Sequence, residues 1–154
     1  MKNFKILSLG LFTLVFMLGC QERTSMAKGV YMASLQSCDQ SKHPCLSSVE
    51  LPDKDTYVEP IKYPGPKNIA QDKLVKILLK TPGGRIIKLN PDYIQFEVTM
   101  PYLNITDDLE FMFRPGSDEI IIRSESRLAF PDILKRMKNR IEEIKFKFFQ
   151  NDVN

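Results

Sequence analysis

The chain has 154 residues, of which 22 are basic and 19 acidic, giving a formal net charge of +3 and a sequence pI near 8.7. Lys2 and Lys5 belong to the N-terminal segment discussed next, so the rest of the chain is nearly neutral. A nearly neutral domain lacks the basic surface typical of nucleic-acid binding, and nucleic acid is therefore not an expected partner. The length predicts a single folded domain.

Residues 1–19 have the pattern of a bacterial lipoprotein signal peptide. Lys2 and Lys5 precede an apolar run, Ile6 to Leu18, that is shorter than the roughly 20 residues a membrane-spanning helix needs. The run ends in Met17-Leu18-Gly19-Cys20, which resembles a lipobox. We therefore expect cleavage before Cys20 and lipidation of Cys20 with fatty acyl chains such as palmitate. The alternative is an uncleaved signal anchor with an incidental cysteine.

This signal predicts a lipid-anchored protein of the bacterial cell envelope. Gln21 follows the lipidated cysteine, whereas aspartate at that place retains lipoproteins in the inner membrane under enterobacterial-type sorting. The absence of aspartate favours the outer membrane, with the protein facing the periplasm. Residues 20–36 are mixed polar without a clean period and are predicted to be a tether, from which Val30, Tyr31, Met32 and Leu35 could pack on the domain. Residues 37–150 are predicted to form the domain.

Two further cysteines, Cys38 and Cys45, remain for the exported domain. An even pair outside the cytoplasm predicts a disulfide that closes a short loop. A metal site that adds His43 is the alternative, but no fourth ligand is evident. A catalytic Cys–His pair is less favoured, because export would tend to oxidise the thiol. We expect no metal and no cofactor.

The predicted elements follow an irregular segment, residues 37–66, that contains five prolines and is expected to wrap the core. A helix is predicted from Asn68 until Thr81-Pro82-Gly83-Gly84 ends it. Two strands follow, Arg85 to Leu89 and Tyr93 to Met100. A second helix is predicted from Pro131, with one apolar stripe at helical spacing: Leu134, Met137, Ile141, Ile144 and Phe148.

The third and fourth strands form a β-hairpin around the turn Pro115-Gly116-Ser117-Asp118. Pairing Arg114 with Glu119 places Phe111 opposite Ile122 on an apolar face that should meet the core. On the second face, that register places Glu110 opposite Arg123 and Asp108 opposite Glu125. Met112, Ile121 and Arg127 lie on the same face. This face should stay uncovered.

Together these elements predict an α+β fold. Its sheet would be a four-stranded antiparallel meander flanked by two helices, in the order α-β-β-β-β-α after an irregular N-terminal wrap. Helices on one face would leave the other face of the sheet available.

Polar side chains lie close together at the end of the hairpin opposite its turn, and they form the candidate site. Arginine there is suited to binding carboxylates or phosphates, but the same residues could form a structural ion-pair network. Catalysis is less favoured, because no histidine or lysine base and no nucleophile elbow accompanies the serines. The cluster consists of Asp107, Asp108, Arg123, Ser124, Ser126, Arg127 and Asp132.

Several segments of the chain resemble the DUF1499 family of uncharacterised proteins. They lie within residues 43–148: Pro44–Ser48, Tyr57–Ile61, Tyr102–Leu103, Thr106–Phe111, Ile122–Arg127, Asp132 and Arg140–Glu142. The chain departs from the family pattern at Leu128–Arg136, which lacks the two glycines expected there. The resemblance implies a shared organisation and supplies no mechanism.

The predicted function is accordingly that of a cell-envelope lipoprotein with a non-enzymatic binding or structural domain. Its partners would be the membrane, through the lipid, and an envelope protein or small ligand. The alternative is an envelope enzyme of hydrolase type that uses Asp107, Asp108 and the segment Arg123-Ser124-Glu125-Ser126-Arg127.

Overall fold

The computed structural model describes residues 24–38, 41–100, 102–129 and 133–150. The predicted signal peptide, the lipidation site Cys20, the predicted helix start at Pro131 and the candidate residue Asp132 lie outside these residues. No helix in the described ranges is both long enough and apolar enough to cross a membrane.

Eight strands and two helices make up the described chain. In order they are β1 (Val30–Tyr31), β2 (Ser34–Leu35), β3 (Cys45–Ser47), β4 (Ile61–Lys62), α1 (Lys67–Leu79), β5 (Gly84–Asn90), β6 (Tyr93–Met100), β7 (Ile105–Phe113), β8 (Glu119–Ser126) and α2 (Ile133–Phe149).

The main sheet has six strands within the described residues, so the prediction of four was wrong. Strands β5 to β8 form the predicted antiparallel meander. Two short strands from the proline-containing segment, β3 and β4, add to the free edge of β8. The order is therefore β-β-β-β-α-β-β-β-β-α. Strands of two or three residues are too short to show an alternating pattern in the sequence. Their pairing with β8 depends on tertiary packing, which a local pattern does not reveal.

The hairpin of β7 and β8 has the predicted register. Phe111 pairs with Ile122, and Glu110 pairs with Arg123. At the turn the Arg114 amide donates to the Glu119 carbonyl at 2.9 Å, and their side chains form an ion pair at 2.5 Å. A one-residue slip would have exchanged the two faces of both strands.

One face of the sheet, the helix face, packs against α1 and α2 and holds the main core. Helix α1 begins at Lys67, and its N-cap is Pro66, two residues before the predicted cap Asn68. Pro66 provides no side-chain cap. The predicted stripe of α2 is buried except for Leu134, which is 39% exposed. The core side chains include Leu46, Ile61, Leu74, Leu78, Ile94, Phe96, Leu109, Phe111, Phe113, Ile120, Ile122, Met137, Ile141 and Phe148.

The other face of the sheet is covered as well, so the prediction of an available face was wrong. Residues 24–35, which we call the N-terminal strap, lie over it, although residues 20–36 were predicted to be a tether. Leu35 from the strap packs with Tyr93, Met112 and Ile121 in a second apolar cluster. This strap face buries most of the charged residues of the hairpin.

The predicted disulfide between Cys38 and Cys45 is present, with a Cα–Cα distance of 5.6 Å. It joins the end of the strap region to β3, whose Cys45 pairs with Glu125 of β8. The bridge therefore fixes the covering segment to the edge of the sheet.

Replacing Cys38 and Cys45 together by serine should lower the free energy of unfolding by about 2.5 kcal/mol, the chain-entropy value for so short a loop. Urea denaturation of wild-type and variant protein measures the difference. A reductant should destabilise the wild type by the same amount and leave the variant unchanged. Equal stability of the variant and the oxidised wild type would contradict the stabilising role of the bridge.

Candidate functional site

The polar residues predicted as one cluster are divided between the two faces of the sheet. All nine residues of β7 are buried, and consecutive side chains along a strand point to opposite faces. Asp107 faces α2 together with Ser124 and Ser126. Asp108 faces the strap together with Arg123 and Arg127. The sheet thus separates the two aspartates that a paired-carboxylate mechanism would need side by side.

Asp107 is fully buried and fastens helix α2 to the sheet. Arg136 makes a two-pronged contact, with Nη1 at 2.6 Å from Oδ2 and Nη2 at 2.8 Å from Oδ1. Arg140, one helical turn later, also donates to Oδ2. Two guanidinium groups at i and i+4 project from one face of a helix, so both reach the same carboxylate. Each arginine is partly exposed, which lowers the cost of desolvating its charge.

These arginines decide the protonation state of Asp107. Burial by itself would raise the pKa of the carboxyl group, but hydrogen bonds and charge attraction from Arg136 and Arg140 outweigh it and hold the pKa below its ordinary value. Asp107 is therefore a permanent anion at neutral pH, committed to its two partners.

The two serines on the helix face are poorly suited to act as nucleophiles. Both are buried, and the Ser126 hydroxyl accepts a hydrogen bond from the Leu128 amide at 3.4 Å. The Ser124 hydroxyl is buried without a partner among the described residues. Neither hydroxyl is hydrogen-bonded to a histidine or lysine in the described part of the chain, and general-base activation requires such a contact.

The strap face holds a network of six charged side chains, four of them buried and two, Glu97 and Arg127, partly exposed. We call it the strap cluster: Glu97, Asp108, Glu110, Arg123, Glu125 and Arg127. Arg123 is 1% exposed and lies between Glu110, at 3.0 Å, and Glu125. Arg127 joins Asp108, at 2.8 Å, to Glu97. Glu97 also forms an ion pair with the exposed Arg85 at 2.8 Å. Four carboxylates against three guanidinium groups still leave an excess of negative charge.

Backbone amides of the strap compensate for that excess. Asp108 accepts a hydrogen bond from the Met26 amide at 2.8 Å and one from the Ser25 hydroxyl at 3.0 Å. Glu110 accepts hydrogen bonds from the Lys28 amide at 3.1 Å and the Gly29 amide at 2.6 Å. A carboxylate that accepts several amide hydrogen bonds can stay ionised when buried. The strap is thus part of the electrostatic structure of the sheet.

Tyr93 and Ser41 donate further hydrogen bonds to the strap cluster. The Tyr93 hydroxyl donates to Glu110 at 2.7 Å, and burial together with this hydrogen bond raises the pKa of Tyr93, which keeps it a donor. The Ser41 hydroxyl, in the disulfide loop, donates to Glu125 at 2.6 Å. Within the cluster, the hydrogen bond to Asp108 raises the pKa of Arg127, so that it stays cationic.

This geometry supports a structural role for the predicted polar cluster. Both terminal nitrogens of Arg123 already donate to Glu110 and Glu125, while its buried Nε has no hydrogen-bond partner among the described residues. Asp108 already accepts from two arginine nitrogens as well as from the strap. No group of three or more metal-ligating side chains occurs in the described residues. The thiols of Cys38 and Cys45 are joined in the disulfide.

Sequence reasoning missed the residues that complete both networks. Arg136 and Arg140 flank the apolar stripe of α2, so an inward-pointing Asp107 beneath that helix was a usable signal for them. The donors from the strap had no such signal, because backbone amides are the same in every sequence. Only the acidic excess of the strap face indicated that further donors were needed.

Replacing Glu110 by glutamine should destabilise the fold by about 3–5 kcal/mol, because Arg123 then loses a buried anionic partner. In addition, the NH2 group of glutamine is a donor and cannot accept the hydrogen bonds that the Lys28 and Gly29 amides donate to Glu110. Urea denaturation measures the loss. Hydrogen exchange at Lys28 and Gly29 should accelerate more than exchange at Met26, which is bonded to Asp108. Glu119→Gln is the matched control, since its ion pair with Arg114 lies near the surface and should contribute about 0–1 kcal/mol. Equal effects of the two variants would contradict the structural role of Glu110.

Replacing Asp107 by asparagine should alter the acid dependence of stability. Because the pKa of Asp107 is depressed in the folded state, its stabilisation is present above the unfolded-state pKa of about 3.9 and is lost as the pH falls through the lower folded-state value. The variant should be less stable at pH 7 and lose less stability on acidification. Urea denaturation between pH 2 and pH 7 measures this, with the exposed Asp118→Asn as control. An acid dependence like that of the wild type would count against the assignment.

Comparison with known proteins adds family membership to this description. A family model described as "Protein of unknown function (DUF1499)" matches residues 34–148, which is more than half of the chain. The match includes the whole main sheet, both helices except the last residue of α2, and the predicted site residues that the structure describes. No curated protein and no solved structure matches the chain at a significant level. The chain belongs to the DUF1499 family of proteins of unknown function.

Proposed function

We propose that this protein is a lipid-anchored component of the bacterial cell envelope whose domain is a non-enzymatic binding or structural module. The observation that carries the proposal is the attachment of residues 25–29 to the sheet through Asp108 and Glu110. This attachment begins five residues after Cys20, the lipidation site expected from the sequence. Four residues, 21–24, would then separate the lipidated cysteine from the first residue bonded to the sheet.

The short connection has a geometric consequence for the lipidated protein. Five residues span at most about 18 Å when fully extended, at roughly 3.5 Å per residue. Ser25, and the end of the sheet to which it is bonded, would therefore stay within that distance of Cys20 and of the membrane surface. A module held so closely is suited to acting on or beside the membrane.

The cysteine chemistry supports export from the cytoplasm. Disulfides persist in oxidising compartments, and the bridge between Cys38 and Cys45 fits the periplasm. Gln21, in place of aspartate, supports the outer membrane as the destination.

The non-enzymatic character of the module is supported by the state of its polar groups. Asp107, Asp108, Arg123 and Arg127 are each held in ion pairs. The hydrolase alternative would need a serine activated by a neighbouring base, and the described chain offers neither Ser124 nor Ser126 such a contact. Partner binding, to an envelope protein or a small ligand, would then use the outer surface of the domain.

Replacing Cys20 by serine should abolish acylation and cause the unprocessed precursor to accumulate. Metabolic labelling with palmitate, mass measurement of the N-terminal peptide and fractionation of the envelope test this. The Cys38→Ser/Cys45→Ser variant is the control, since it keeps the lipidation site and should still be labelled. A Cys20→Ser protein that is processed and retained in the membrane like the wild type would refute the proposed anchor.

A further inference from the structure

The turn between β6 and β7 carries two large apolar side chains that are exposed to solvent. Tyr102 is 99% exposed and Leu103 is 58% exposed. In the described part of the turn, the Leu103 amide donates to the Met100 carbonyl at 3.2 Å, and Asn104 adopts a positive φ of 49° that asparagine tolerates. Thr99 and Thr106 are hydrogen-bonded across its base at 3.1 Å. Tyr102 and Leu103 thus lie between strand ends that are hydrogen-bonded to each other.

The turns at the opposite end of the sheet are different. Asn90-Pro91-Asp92 between β5 and β6, and Pro115-Gly116-Ser117-Asp118 between β7 and β8, consist of the polar, proline and glycine residues usual in turns. Single exposed apolar side chains are common on protein surfaces, so Tyr102 and Leu103 alone would indicate little. Their significance comes from where the strap leads.

The strap runs along β7 towards this apolar turn when it is followed back to the N-terminus. Gly29 is bonded to Glu110, and Met26 and Ser25 are bonded to Asp108, which is nearer to the start of β7. From Asp108 to the turn at Asn104 is four strand residues, or about 13 Å at 3.3 Å per residue. The five-residue connection from Cys20 to Ser25 reaches about 18 Å. A lipid at Cys20 is therefore near enough to bring the turn to the membrane surface.

The start of α2 adds a basic residue and a further apolar one at the same end. Arg136 lies 3.8 Å from the Met100 sulfur, which places the first turn of α2 beside the end of β6. Leu134 and Lys135, in that first turn, are exposed. Apolar side chains next to a lysine are suited to a bilayer interface, where the lysine meets anionic head groups and tyrosine sits at the level of the head groups.

We propose that Tyr102 and Leu103 insert into the membrane–water interface and orient the domain on the bilayer. This inference rests on the lipid anchor proposed above. The anchor holds the domain near the membrane, and the β6–β7 turn selects which end of the sheet faces it. The surfaces at the other end, around Leu89 and Ser117, then point towards the periplasm.

The chain contains no tryptophan, so a single introduced tryptophan reports on its own surroundings. Full-length lipidated Tyr102→Trp protein is reconstituted into vesicles of phosphatidylethanolamine and phosphatidylglycerol, with and without brominated acyl chains. The matched control is Leu89→Trp, at a position that is 53% exposed at the opposite end of the sheet. Both positions are on the surface, and thermal unfolding checks that each variant folds. Leu103→Trp is a second probe of the turn.

Tryptophan at 102 and 103 should emit at shorter wavelength in vesicles than in detergent-free buffer and lose intensity with brominated lipid, whereas tryptophan at 89 should do neither. Anchored protein whose residue-102 emission is water-like and unquenched overturns insertion while leaving the anchor intact. A blue shift without quenching by brominated lipid indicates contact with protein, such as a second copy, and also overturns it. Protein that fails to float with the vesicles and carries no acyl chain overturns the anchor and the insertion together.

Discussion

The architecture depends on the neutralisation of buried negative charge on the strap face. Three buried carboxylates and the partly exposed Glu97 share Arg123, Arg127 and the exposed Arg85 there. Leaving a carboxylate unpaired inside the protein would cost several kcal/mol. The amides of Met26, Lys28 and Gly29 supply the missing donors, and the Tyr93 hydroxyl supplies another. The sheet therefore requires the strap to cover it, and the strap is held in place by these hydrogen bonds and by the packing of Leu35 in the second apolar cluster. Each is a condition for the other.

Strand β7 connects this requirement to the helix layer. Asp107 and Asp108 are neighbours in sequence but serve opposite faces, one fastening α2 through Arg136 and Arg140 and the other fastening the strap. Both contacts join residues far apart in the chain, 82 positions for Met26 and Asp108 and 29 for Arg136 and Asp107. Two adjacent acidic residues on the central strand of the sheet thus hold three layers together.

The elements that local sequence pattern controls were predicted well. Alternation and opposite charges gave the β7–β8 register, including Glu110 against Arg123, and helical spacing gave the buried stripe of α2. Strands β3 and β4 and the strap were missed because their structure comes from contacts with distant residues. Leu46, for example, enters the sheet only by pairing with Ser124. The strap amides carry no side-chain signal, so an acidic face that needed donors was interpreted as one that stayed open.

The motifs that carry the resemblance to DUF1499 are the same residues that build these networks. Thr106–Phe111 and Ile122–Arg127 contain Asp107, Asp108 and Arg123, all buried in ion pairs. The donors at Met26, Lys28 and Gly29 lie before residue 34, where the family match begins, although the carboxylates they satisfy lie within it. The family match therefore defines a scaffold that still needs a covering donor segment. Among the described residues, the charged centre of the sheet is therefore committed to holding that scaffold.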